Sequence, residues 1–141
     1  MQCRPLSQQS VAIDEIGQEG NPVVTIPGFL ADPESAVAIA AEEEFARINP
    51  HYPGVRAAVA HEVTQQWNAE LTPLIKQVFG IEAPVWQGVS FFSMVTARQE
   101  ELSLIQLFPH IDGTSSEMVA LMLYLHHTPH GATGFFRHRE T

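Results

Sequence analysis

The hydrophobic pattern of this chain changes at about residue 84, and the change limits the folds that it can adopt. Before this point, apolar residues recur every three or four positions, as they do on the buried face of a helix. After it, β-branched and aromatic residues follow a period of two, which favours strands. Helices followed by strands are typical of an α+β domain with a largely antiparallel sheet.

The helical half is predicted to contain three helices with recognisable boundaries. Asp32 can serve as N-cap and Pro33 suits the first helical position. This helix should run past Phe45 to Ile48 and end before Pro50. A second helix is expected to stop at Thr72-Pro73, where a third begins. Gly80 supplies the C-terminal end of the third helix, whereas the segment between the first two helices, 51–56, is predicted to be a loop.

Strands are predicted in six short segments. They are Ser10–Asp14, Pro22–Pro27, Val85–Val95, Leu104–Phe108, Met118–His126 and Thr133–His138. The fifth is nearly continuous in apolar residues, so we expect it to be buried on both faces.

Composition narrows the range of partners. The chain has 141 residues, 45% of them apolar and 16% charged, which fits a single globular domain. The chain has 7 basic and 16 acidic residues. The resulting net charge of −9 argues against nucleic acid and anionic membranes as partners. A single cysteine, Cys3, excludes an intrachain disulfide, and no apolar run reaches the ~18 residues of a membrane span. We therefore expect a cytoplasmic protein.

One short motif carries candidate chemistry. His110 and Asp112 stand two positions apart in Pro109-His110-Ile111-Asp112-Gly113. In an extended backbone both side chains point the same way, so an imidazole and a carboxylate lie side by side. These are two of the three ligands in the 2-His-1-carboxylate triad of non-haem iron oxygenases. The alternative is a hydrogen-bonded His–Asp pair at a turn that Gly113 closes.

The surroundings of this motif resemble those of the 2-oxoglutarate/Fe(II) oxygenases, in particular the prolyl-4-hydroxylase-like branch. That resemblance covers residues 104–139, where the motif precedes the apolar segment 119–125 and then Gly131-Ala132-Thr133-Gly134. Three segments also look like a bacterial family of unknown function attached to that superfamily, a likeness that extends over most of the chain from Pro22. They are 52–56, 109–113 and 135–139.

The resemblance implies a fold and a set of site residues. The chain would be a single domain, 1–141, with helical support over about 30–80 packed on a partial double-stranded β-helix, or jelly roll, over about 85–139. His110 and Asp112 would be ligands of Fe(II), and the Tyr124 hydroxyl would bind a carboxylate of 2-oxoglutarate. An ordinary core aromatic is an equal alternative for Tyr124. The substrate would be an unidentified small molecule or peptide.

The chain departs from the oxygenase pattern in several places. His126 replaces an asparagine and Ala132 replaces a glycine. The third histidine ligand and the basic residue beyond it have no match before Thr141, and His138 lies too close to His110 to take that role. We therefore expect a truncated jelly roll with little turnover, whose open edge is satisfied in a homodimer or strand-exchanged assembly.

Three further alternatives follow from the residues. A non-catalytic jelly-roll binding module that has lost iron chemistry is the second candidate function. The histidines at 126, 127, 130 and 138 either form a second metal site or, as we favour, bind no metal. Arg137 and Arg139 share one strand face, where they pair with an anionic substrate or, preferably, solvate the sheet.

Overall fold

The structure, a computed structural model, describes residues 1–82, 90–115, 117–126 and 132–137. Its elements in chain order are β1 (Ala12–Ile16), β2 (Asn21–Thr25), α1 (Pro33–Ala41), β3 (Gly54–Ala58), α2 (His61–Phe79), β4 (Phe91–Val95) and α3 (Leu104–Leu107). Short 3-10 turns lie at Leu6–Gln8 and Gln99–Glu101. The combination of helices and antiparallel strands confirms the predicted α+β class.

The strands form two small antiparallel sheets. β1 pairs with β2 so that Ala12 lies opposite Thr25. β3 pairs with β4, with Gly54 opposite Val95, and a single bridge joins Arg56 to Ala46 on the other side of β3. Within the described ranges all strands belong to these two sheets, a further isolated bridge joins Cys3 to Leu30, and a double-stranded β-helix is not found there.

The core lies between α2 and the segments that cross it. Trp67, Leu71 and Ile75 recur every four residues on α2, so they share one buried face. Phe29 packs edge-to-face on Trp67, with ring centroids 6.2 Å apart. The other buried apolar residues around this face are Cys3, Leu30, Ala36, Ala57, Val59, Ile81 and Phe92.

Helix α1 begins as predicted and ends early. The Asp32 carboxylate accepts a hydrogen bond from the Ser35 amide at 3.1 Å, and Pro33 occupies the first turn. The helix stops at Ala41 because three consecutive glutamates, 42–44, would repel one another and oppose the negative end of the helix dipole. The predicted extension to Ile48 is therefore wrong.

Helix α2 runs through Pro73, where a break was predicted. Pro73 cannot donate the hydrogen bond that its position would normally make, yet Leu71 and Ile75 on either side of it are both buried. Packing of both halves against one core holds them in line. The end at Gly80 is confirmed, with a left-handed φ of 67° and its amide bonded to the Lys76 carbonyl at 3.2 Å. In the described ranges, no helix combines the length and apolar character needed to cross a bilayer.

The strand predictions have mixed outcomes. β1 and β2 match the first two within a few residues, and β4 matches the end of the third, whose beginning at 85–89 lies outside the described residues. The fourth prediction is wrong, because Leu104–Leu107 is helical. Its N-terminus is capped reciprocally by Ser103 and Gln106, with the Ser103 amide 2.9 Å from the Gln106 side-chain oxygen.

Two further corrections concern neighbouring segments. The predicted loop 51–56 contains the start of β3, because Gly54–Ala58 pairs with β4. Strands were also predicted at Met118–His126 and Thr133–His138, but residues 118–126 and 132–137 include no strand. Most of the apolar side chains in 118–126 are exposed instead of buried. Met122, for example, is 64% exposed.

Candidate functional site

The His110–Asp112 motif directly follows α3. The Gln106 side chain donates to the carbonyl of Pro50 at 3.4 Å, which attaches the helix to the loop before β3. Phe108 then adopts extended backbone, with ψ of 141°, as expected for a residue that precedes proline. The motif itself lies outside helices and strands, so the two side chains are free to face the same way.

The structure brings the two predicted donor atoms together. His110 Nε2 lies 3.6 Å from Asp112 Oδ1, and the two side chains are 79% and 65% exposed. This separation is too long for a hydrogen bond. It does fit two ligands of one ion, since atoms bonded at about 2.1 Å are about 3.0 Å apart at a bond angle of 90° and about 3.6 Å apart at 120°. The observed separation matches the 120° angle, and the 90° angle of neighbouring octahedral positions requires the two exposed side chains to approach by about 0.6 Å.

A third protein ligand does not join the pair in the described part of the chain. No group of three or more His, Cys, Asp or Glu side chains that could hold a metal ion occurs there. His126 is described and therefore does not complete the site. The remaining candidates from the histidine cluster, His127, His130 and His138, lie outside the described residues.

Tyr124 lies in the segment without regular secondary structure that follows the motif. Its hydroxyl contacts the hydroxyl of Thr133, and its ring packs edge-to-face on His126 with centroids 5.7 Å apart. The side chain is 49% exposed, which does not fit a simple core aromatic. The hydroxyl is thus held in place by the next segment of the chain, and about half of the residue is exposed.

An apolar groove of about 360 Å³ lies next to the motif. Its walls are β2, the C-terminal half of α2, Ile81, residues 117–121 and Phe135. The groove connects to the motif through Gly113, because a side chain at that position would approach Met118 Cε to 2.7 Å and Met118 lines the groove. Its volume falls in the range of small-ligand sites, about 300–1,000 Å³.

The start of segment 118–126, which was predicted to be a strand buried on both faces, instead lines the groove, and the groove was therefore not predicted. Leu74 and Phe79 on α2 have the spacing of buried positions, but each is only partly buried. Glu117 is the one charged side chain among the described lining residues. The sequence did contain an indication of the groove. The segment after residue 104 has more apolar residues than the core of a chain of this size can bury.

Comparison with known proteins assigns the chain to a family. Residues 7–141 match a family of unknown function, DUF6445. The chain belongs to this family. Neither the curated proteins nor the solved structures include a match. Membership in DUF6445 thus leaves the function to be inferred from the site itself.

In this DUF6445 chain, Arg137 has a definite partner. Its guanidinium forms an ion pair with Glu19 in the turn between β1 and β2. The hydrogen bond from Arg137 is the main cause that holds the pKa of the Glu19 carboxyl below its ordinary value. Arg137 therefore ties the segment containing Phe135 to the hairpin, while Arg139 lies outside the described residues.

The ion pair predicts a pH dependence of stability. Folding lowers the pKa of Glu19. The ion pair therefore stabilises the fold at pH values above the ordinary glutamate pKa of about 4.3, and this stabilisation is lost as the pH falls through the pKa of the folded protein. Arg137→Gln should raise the pKa of Glu19 toward its ordinary value in an NMR titration. Arg98→Gln, which removes an exposed arginine 4.0 Å from Glu100, should not change it. Equal Glu19 pKa values in wild type and Arg137→Gln would contradict this assignment.

Proposed function

We propose that the chain is a 2-oxoglutarate/Fe(II)-dependent oxygenase-type protein in which His110 and Asp112 are two ligands of the iron. The observation that carries the proposal is the convergence of their donor atoms, 3.6 Å apart on an accessible segment. Two exposed donors at this separation suit an ion that must keep positions open for a cosubstrate. Fe(II) and 2-oxoglutarate, when bound, supply the activation of oxygen.

The residues around the motif have separate tasks in this proposal. The imidazole of His110 and the carboxylate of Asp112 hold the ion from two neighbouring positions. The Tyr124 hydroxyl, positioned by Thr133, donates to a carboxylate of 2-oxoglutarate. The groove beside Met118 takes the apolar part of a small-molecule or peptidyl substrate and excludes water from it.

The jelly-roll architecture and the assembly belong to the same proposal. Supporting it, residues 104–126 are rich in strand-forming apolar side chains that are exposed, such as Phe108 at 66% and Ile111 at 76%. Exposed patches of this kind mark interaction surfaces. A homodimer or strand-exchanged assembly would cover them, and light scattering of the purified protein measures the mass that decides this.

Metal binding tests the function directly. Wild-type protein should bind Mn(II), an air-stable substitute for Fe(II), in calorimetric titration. His110→Ala should weaken this binding by about tenfold or more, since it removes one of two protein ligands. His51→Ala is the matched control, because it removes an exposed histidine from a loop outside the motif and should leave the affinity unchanged.

The same titration has an outcome that overturns the proposal. Equal Mn(II) affinity in wild type and His110→Ala would remove His110 as a ligand. Tyr124→Phe adds a second measurement, in which Mn(II) affinity should persist while binding of 2-oxoglutarate to the Mn(II)-loaded protein weakens. Unchanged binding of 2-oxoglutarate would remove Tyr124 from the site.

A second function, a binding module without iron chemistry, is favoured by one specific observation. The apolar groove has walls from β2, α2 and residues 117–121, whereas the metal site has only two ligands among the described residues. Under this alternative a ligand occupies the groove with the same affinity in wild type and in His110→Ala. Weaker Mn(II) binding by His110→Ala supports the oxygenase-type function, whereas equal Mn(II) affinity in the two proteins supports the binding module.

A further inference from the structure

Arg56 on β3 lies close to two aromatic rings. Its guanidinium carbon lies 4.0 Å from the centroid of the Tyr52 ring and 5.6 Å from that of Phe91. Phe91 reaches it diagonally across the sheet, because Arg56 pairs with Ser93 in the register of β3 and β4. Both contacts are within the range of cation–π attraction, so they favour this position of the guanidinium.

The backbone around Tyr52 holds this arrangement in place. The Gly54 amide bonds to the Tyr52 carbonyl at 2.9 Å, and the amides of Thr96 and Ala97 both bond to the Pro53 carbonyl at 3.1 Å. The loop before β3 is thus fastened to the end of β4. Tyr52 therefore keeps its position on Arg56 without any ligand, which is the preorganisation expected of a recognition site.

The guanidinium has hydrogen-bonding capacity that the described residues leave unused. Arg56 Nε is inaccessible to solvent and has no hydrogen-bond partner among them. Ion pairs join Arg98 to Glu100 and Arg137 to Glu19, but none is found for Arg56 in the same part of the chain. Arg56 therefore has no carboxylate partner among the described residues, although the chain contains 16 acidic residues.

We propose that Arg56 is the anchor of a carboxylate-binding site on the β3–β4 sheet. Tyr52 and Phe91 lie near the guanidinium at cation–π distances. Because Nε is covered, the terminal Nη1 and Nη2 groups form the recognition edge. Two parallel hydrogen bonds from that edge match the planar carboxylate. Ser93, exposed and directly opposite Arg56, places a hydroxyl donor on the same face of the sheet.

The charge of the surroundings favours a carboxylate over more highly charged anions. One guanidinium balances one negative charge, whereas the chain as a whole carries −9 and repels a phosphate dianion. The carboxylate can belong to a small acid or to the acidic side chain of a peptide, since the chemistry of recognition is the same. This inference is independent of the metal site, as it uses no residue of the His110–Asp112 motif.

An NMR titration with sodium acetate tests the proposal, with sodium chloride at the same ionic strength as reference. The amides of Arg56 and Ser93 should shift saturably with acetate and not with chloride. Arg56→Lys keeps the charge but lacks the two-donor edge, so it should weaken acetate binding by about tenfold, the effect of losing one charge-assisted hydrogen bond. Arg98→Lys is the matched control and should bind acetate as wild type does.

The outcomes separate the proposal from its alternatives. Absence of saturable shifts in wild type, equal affinity in Arg56→Lys, or tighter binding of inorganic phosphate than of acetate would each overturn it. If Arg56→Lys does not fold, Ser93→Ala at its exposed position replaces it and should also weaken binding. A peptide with one glutamate that binds more tightly than acetate supports a protein ligand, and equal affinity supports a small acid.

Discussion

Trp67→Ala is expected to lower the free energy of unfolding by about 3–5 kcal/mol, the usual cost of deleting a large buried aromatic side chain. Trp67 is only 6% exposed, and it joins the buried face of α2 to Phe29. Domains of this size are stable by about 5–15 kcal/mol, so the variant should keep little of its stability. Urea unfolding followed by circular dichroism measures the difference.

Trp67→Phe is the matched control for this prediction. The indole Nε1 is buried and has no hydrogen-bond partner among the described residues, so phenylalanine gives up no hydrogen bond there. It also keeps an aromatic ring against Phe29. The cost should stay near 1–2 kcal/mol, roughly the value for a partial reduction in volume. Equal destabilisation by the two variants would show that ring packing at this position is not what stabilises the core.

Local chemistry explains which parts of the fold were predictable. The start of α1 depends on Asp32 and Pro33, which act within one helical turn. The end of α2 depends on Gly80 and its left-handed φ. The buried face of α2 follows from a spacing of four residues at Trp67, Leu71 and Ile75. In each case the determining residues are neighbours in the sequence.

The errors arose where distant contacts or a local cap outweighed propensity. β3 follows Pro53-Gly54, which indicates a loop, and becomes a strand only because β4 lies beside it. Leu104–Leu107 has the apolar residues of a strand, yet the reciprocal cap between Ser103 and Gln106 makes it helical. Single-sequence reasoning weighs such competing effects poorly when the segment is short.

In the candidate sites, too, features that depend on neighbouring residues were predictable and features that depend on distant contacts were not. His110 and Asp112 lie close together at a bend and not in a strand, so their closeness follows from being two residues apart in the chain. The groove was not predictable, because it is formed only when β2, α2 and residues 117–121 come together in the folded chain. The stack on Arg56 was hidden for the same reason, as Phe91 comes from a strand that lies far along the chain.

Gly54→Ala is expected to cost about 3 kcal/mol or more, the upper range for overpacking. A Cβ atom at this position would lie 1.8 Å from the Met94 carbonyl oxygen and 2.9 Å from Val95 Cα. These are backbone atoms of β4, which cannot rotate away as a side chain can. The β3–β4 pairing must therefore open, and the Tyr52–Arg56 stack beside it should loosen as well.

Gly80→Ala provides the comparison, since its cost has a different origin. Nothing lies within 4 Å of a Cβ atom at Gly80, but its φ is +67°, which costs a non-glycine residue about 1–2 kcal/mol. Gly54→Ala should thus destabilise the protein more, and amide exchange should accelerate in β3 and β4 under native conditions. In Gly80→Ala those amides should exchange as in the wild type. If Gly54→Ala costs no more than Gly80→Ala, the two strands do not pack as closely as the structure places them.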